Sequence, residues 1–129
     1  MNFKNIDIIP KSIQQYVLIA IISIYAFYIN WLSANMGVMV IDTFSFFDSS
    51  FSILQNKLPI RDFWAFTGIF VDYMQAIFFL VFGKNWNSYV VHACFFNILT
   101  SLVFYYFLQE LKLNKLYAFF YTISFATLC

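Results

Sequence analysis

The chain has 129 residues, of which 63% are hydrophobic, 24% aromatic and only 10% charged, and its formal net charge is +1. Soluble domains average about 45–50% apolar and about 25% charged residues, so this balance excludes an ordinary soluble domain and predicts an all-α integral membrane protein whose first partner is the lipid bilayer. A near-neutral charge with no Lys/Arg run also excludes a nucleic-acid backbone as partner.

Ile13 to Ala34 carries no charge over 22 residues. At 1.5 Å per residue it reaches roughly 33 Å, enough for a hydrocarbon core of about 30 Å. Lys4 and Lys11 precede it, which raises the possibility of a signal peptide, but the apolar run exceeds the usual ~7–15 residues and no A-x-A site follows. It is predicted to be a retained first span.

Residues 35–64 form the one long hydrophilic stretch, and Thr43 to Gln55 within it changes pattern. Phe44, Phe47, Phe51 and Leu54 recur at helical spacing while Ser45, Asp48, Ser49, Ser52 and Gln55 take the other face. This predicts an amphipathic helix lying on the membrane surface, with its serines in water and Asp42 as its N-cap. Pro59 forbids continuation of the helix, Lys57 and Arg61 can stay at headgroup level, and Phe63-Trp64 fit an aromatic belt.

The second span is predicted at residues 65–83. Asp72 interrupts it at a cost of about 2.5–3.5 kcal/mol at a helix centre, so this acid should face protein and not lipid. Gly68, Asp72, Gln75 and Ala76 share one stripe, which predicts a packing seam. Gly83-Lys84-Asn85 reads as a tight turn, residues 87–109 as a third span with Ala93, Asn97, Thr100 and Ser101 on one face, and residues 116–129 as a partial fourth. The expectation is a single membrane domain over residues 1–129: three complete spans, a partial fourth and an interfacial helix, forming the amino-terminal part of a longer protein.

Chemistry-bearing residues are few. Asp48 reads as a solvated residue on the polar face. His92 lies two residues from Cys94, but two ligands do not make a metal site, and a packing histidine is the simpler reading. No metal or other cofactor is indicated, and no phosphate-binding Gly-rich loop, Ser-His-Asp set or CxxC pair occurs.

The order of elements, with Ile41-Asp42-Thr43, then the helix, then Leu58-Pro59-Ile60-Arg61-Asp62-Phe63-Trp64, Gly68 and Leu80-Val81-Phe82-Gly83, resembles the amino-terminal part of GT-C superfamily glycosyltransferases. These are polyprenyl-phosphate-dependent membrane enzymes, of which dolichyl-phosphate-mannose protein mannosyltransferase-like proteins are one group. The resemblance covers residues 10–110. It implies a multi-pass protein of a bacterial inner membrane or its equivalent, with residues 35–64 outside the cytoplasm. It further implies Asp42 as the base that deprotonates the acceptor hydroxyl, and Arg61, Asp62 and Asp48 near a polyprenyl-phosphate sugar donor. The chain departs from the family at Thr43, where many relatives have glutamate, and at Ala65-Phe66-Thr67, where a lysine that could meet lipid phosphate is missing. With the N-terminus inside, Lys4, Lys11 and Lys84 would face the cytoplasm and Lys57, Arg61, Lys112 and Lys115 the outside. Two other readings stay open: a small non-enzymatic protein whose polar stripes pack against a partner membrane protein, and a transporter component using Asp72 and His92 as a proton relay.

Overall fold

The computed structural model describes residues 11–37, 40–65 and 68–128, and of these the side chains of all but 11, 12 and 40–42. Among the described residues five helices follow one another: α1 (Lys11–Met36), α2 (Val40–Leu54), α3 (Ile69–Phe82), α4 (Trp86–Glu110) and α5 (Lys115–Leu128). No strand occurs among the described residues; the one bridge joins Pro59 to Phe63. Among the described residues, two stretches are long and apolar enough to cross a membrane, Ile13–Met36 and Trp86–Glu110.

Helix α3 has 14 residues, which at 1.5 Å each gives about 21 Å, well under a hydrocarbon core of about 30 Å. The expected span over 65–83 is shortened because glycines bound it on both sides. Gly68 has φ 110° and Gly83 φ 85°, so neither continues a right-handed helix.

The ends of the other helices follow from local chemistry. At the end of α2 the Asn56 amide donates to the Ile53 carbonyl at 2.9 Å and the Lys57 amide to the Ser52 carbonyl at 3.1 Å. This is a Schellman closure, and Asn56, at φ 62°, takes the left-handed position that asparagine tolerates. The same closure ends α4: Lys112 donates to the Gln109 carbonyl at 2.8 Å and Leu113 to the Leu108 carbonyl at 3.3 Å. Helix α4 begins at a capping asparagine, whose Asn85 Oδ1 accepts from the Ser88 amide at 2.9 Å.

The chain forms two compact units, residues 1–29 with 97–129, and residues 30–96. In the first, Ile22, Tyr105 and Ala118 are fully buried, with Leu18, Ile19, Leu102, Leu108, Phe119 and Ile123 packed around them. The Phe104 and Phe125 rings stack at 4.5 Å. Asn97 crosses this unit: its Nδ2 donates to the carbonyl of Ala126 at 3.0 Å and of Ala26 at 3.5 Å, while its Oδ1 accepts from Ser101 Oγ at 3.1 Å. The polar stripe expected on this face is thus buried at Asn97 and Ser101, whereas Thr100 is exposed. Interhelical hydrogen bonds of this kind average about 0.6 and reach about 1.7 kcal/mol in membranes. Asn97→Leu, of similar volume, should therefore lower stability by about 1–2 kcal/mol, read as a fall in unfolding temperature in detergent. An unchanged temperature would show that Asn97 only fills space.

Candidate functional site

Helix α2 starts at Val40, three residues before the expected start, so Asp42 is its third residue and not its cap. An aspartate in the first turn is still well placed, because the unsatisfied amides there favour negative charge. The Asp42 side chain lies outside the described residues. Asp48 is exposed, as are Phe44 and Phe51.

The serine face is a correction to the sequence reading. Of the residues expected on the wet face, Ser49 and Ser52 are buried while Asp48 and Gln55 are exposed; Ser50 and Thr43 are buried as well, and Ser50 Oγ donates to the Phe46 carbonyl at 2.7 Å. Serine hydroxyls that satisfy themselves on their own helix can turn inward at little cost, so a polar face need not be a wet one. Helix α2 packs against α3. The Phe47 ring lies 4.9 Å from Phe79 and 5.8 Å from Tyr89, and it stacks on Trp86 at 6.4 Å.

Beyond the Schellman closure the segment Leu58–Trp64 folds back on itself. Ile60 donates to the Phe63 carbonyl at 2.8 Å and Asp62 to the Leu58 carbonyl at 2.9 Å. The Asp62 carboxylate closes the turn: Oδ2 accepts from the Leu58 amide at 2.8 Å. Arg61 then grips the same carboxylate at both oxygens, Nε to Oδ1 at 2.9 Å and Nη2 to Oδ2 at 2.8 Å. Neighbours in sequence need not face each other, yet here they form a bidentate pair. The Arg61 side chain remains 68% exposed.

The pair holds the Asp62 carboxyl down from 3.8 to about 2, first through the Arg61 hydrogen bond and then through the Leu58 amide. A depressed carboxyl stabilises the turn fully above its unfolded value of about 3.9. That contribution is lost as pH falls through about 2. A carbon-detected titration of Asp62 should give a midpoint near 2, and Arg61→Gln should raise it toward about 3.9. A midpoint near the unfolded value in the parent chain would mean the pair does not hold in solution.

The rest of residues 30–96 surrounds a polar interior. Asp72 and Gln75 on α3 are fully buried beside Ala76 and Phe79, so three of the four expected seam residues are inside and Gly68 is exposed. On α4, Ser88 is fully buried and His92 is 6% exposed. The His92 ring sits between Phe78 at 5.0 Å and Phe96 at 4.8 Å. The Gln75 amide, Ser88 Oγ and His92 Nε2 have no hydrogen-bond partner among the described residues. Gln75 belongs to the stripe expected from the sequence; Ser88 does not, and its burial distinguishes it. No group of three or more His, Cys, Asp or Glu side chains among the described residues could hold a metal ion.

Lys84 meets α2. Its Nζ lies 4.6 Å from the centre of the Phe51 ring, a cation–π contact between the α3–α4 turn and the carboxyl-terminal part of α2. Residues expected on opposite faces of a membrane are therefore neighbours, and α3 is too short to separate them by a hydrocarbon core. Of the proposed site residues, the structure joins Arg61 to Asp62 and leaves Asp48 on an exposed face of α2. No protein-family model, curated protein or solved structure matches this chain.

Proposed function

We propose that this chain supplies the acceptor-activating segment of a membrane glycosyltransferase that takes sugar from a polyprenyl-phosphate donor. The supporting observation is that the helix bearing Asp42 and the Leu58–Trp64 turn are one continuous local structure. The helix closes at Asn56, and the turn that follows is closed by Asp62 on the Leu58 amide and by Ile60 on the Phe63 carbonyl. In this reading the Asp42 carboxylate takes the proton of an acceptor hydroxyl. The freed oxygen attacks the anomeric carbon from the face opposite the carrier, and polyprenyl phosphate leaves with the bonding pair, which inverts the centre. A base of this kind contributes about 10²–10⁴-fold.

In this reading α1 and α4 are the crossing helices, and α2, the turn and α3 lie on one side of the membrane. Lys4, Lys11, Lys112 and Lys115 then share the cytoplasmic side, and Lys57, Arg61 and Lys84 the other. This agrees better with the positive-inside rule than three full crossings do. The protein carrying this segment, reconstituted in vesicles with polyprenyl-phosphate sugars, should release free carrier only when an acceptor alcohol is present. Failure to turn over any such donor would remove the reading.

A second reading is favoured by one observation, the complete burial of Asp72. Acids inside membrane bundles usually mark ion or substrate paths, so a transporter component is the competing function. Loss of coupled flux on Asp72→Asn, with Asp42→Asn silent, would select it.

A further inference from the structure

The turn after α2 presents its apolar side chains outward. Ile60 is 73% exposed, Trp64 82% and Leu58 45%, in a segment whose carbonyls and amides are engaged with one another. Ile60 also has φ 72°, a left-handed conformation that β-branched residues avoid. Nothing inside the turn requires isoleucine there: asparagine or glycine would adopt the same backbone more easily. An exposed apolar side chain on a strained backbone gains nothing within the turn, so its contribution lies in what it meets outside.

Position along the fold identifies that surroundings. Phe51 of α2 lies under Lys84, and Phe47 stacks on Trp86, the first residue of the candidate span α4. The carboxyl end of α2 therefore sits at the level where α4 would leave the hydrocarbon, and the turn begins two residues after α2 ends. At that level a bilayer presents its headgroup–acyl boundary, the region where tryptophan and snorkelling lysine or arginine are favoured. The turn supplies both classes, Trp64 and Ile60 with Lys57 and Arg61 around them, while Asp62 is screened by Arg61.

We propose that the 56–64 turn is an interfacial anchor that seats Ile60 and Trp64 in the headgroup–acyl boundary of a lipid bilayer, fixing the height of α2 against the membrane. The inference rests on α4 crossing the bilayer, and not on the glycosyltransferase reading. It is a rigid wedge rather than an adaptable loop, because the backbone is already closed by the Leu58, Ile60 and Asp62 hydrogen bonds.

The test uses the chain in phosphatidylcholine–phosphatidylglycerol vesicles, with Cys94→Ala and Cys129→Ala as background. Nitroxide labels are placed singly at Ile60→Cys, Trp64→Cys and, as the span reference, Leu99→Cys. Collision with oxygen is compared with collision with an aqueous nickel chelate. Oxygen should dominate at all three positions, with labels 60 and 64 about 5–10 Å below the headgroups, the depth of interfacial apolar residues. Nickel dominating at 60 and 64 with oxygen dominating at 99 would overturn the anchor alone. Nickel dominating at all three would overturn the crossing by α4 and the anchor with it. Protection from both reagents at 60 and 64 would mean a protein surface covers the turn, and would also overturn it. Ile60→Gly provides a second arm: it relieves the backbone, so thermal unfolding should be unchanged or raised, while the label at 64 should shift toward water. A label at 64 that stays at the same depth would show that Ile60 plays no part in the anchor.

Discussion

Asp42→Asn is expected to lower the rate of sugar transfer about 10²–10⁴-fold, which corresponds to about 2.7–5.5 kcal/mol of transition-state stabilisation. Asparagine keeps the size of the side chain and its ability to accept a hydrogen bond, but it cannot take the acceptor proton. Because Asp42 is the third residue of α2, the substitution also removes a negative charge from a helix amino terminus. That charge is worth about 0.3–1 kcal/mol of folding stability at an exposed site. The two effects separate experimentally: the loss in kcat should be far larger than any fall in unfolding temperature can explain. Arg61→Gln should behave differently. Its guanidinium is committed to Asp62 and otherwise exposed, so a role on the donor would appear in KM with kcat little changed. Full transfer activity in Asp42→Asn would end the proposal for this residue whatever the fate of Arg61.

The helices of this chain were largely legible because long uncharged runs have few alternatives. The apolar runs expected at 13–34, 87–109 and 116–129 fall on the helices Lys11–Met36, Trp86–Glu110 and Lys115–Leu128, of which the first two are long and apolar enough to cross a membrane. What composition did not reveal was where backbone conformation overrides hydrophobicity. Gly68 is as compatible with an apolar helix as any small residue until its φ of 110° is known, and that angle cuts the expected second span to Ile69–Phe82. Helix α2 was found but its start and its inward face were misjudged. Aspartate favours the N-cap, so Asp42 was expected outside the helix, and serines were assigned to water although their hydroxyls can bond to their own helix.

The site was legible in its residues and not in its arrangement. That the helix ends before Pro59 followed from the sequence, but the closure of Leu58–Trp64 into a turn by the Asp62 carboxylate did not. Nor did a left-handed Ile60, the residue type that statistics place last at such an angle. The neighbourhood of Lys84 and Phe51 was invisible for a different reason: an expectation argued from span count places successive loops on alternate sides, whereas a helix of about 21 Å leaves its two ends close enough for both to meet α2. The burial of Gln75 was legible from the stripe it shares with Asp72 and Ala76, whereas that of Ser88, at the start of α4, was not.

The hairpin that produces this packing should be the most sensitive point of residues 30–96. Gly83 has φ 85° and ψ 164°, a region populated almost only by glycine, where any other residue costs about 1–3 kcal/mol. A Cβ there would also approach Asn85 Nδ2 at 3.2 Å. That side chain is already in use: its Nδ2 donates to the Phe82 carbonyl at 2.9 Å and its Oδ1 caps α4. Gly83→Ala therefore strains the backbone and presses on a cap worth about 1 kcal/mol, so a total loss of about 2–4 kcal/mol is expected in denaturant unfolding. Gly37→Ala is the matched comparison. A Cβ at Gly37 meets nothing within 4 Å, and the expected change is a slight gain of up to about 1 kcal/mol from a less flexible unfolded chain. Since Trp86, Phe79 and Tyr89 all reach Phe47 across this hairpin, Gly83→Ala should also loosen α2, visible as faster amide exchange at Ser49 to Ile53. Equal stability of the two variants would mean that the turn relaxes freely, and that the placement of α2 does not depend on the geometry of Gly83.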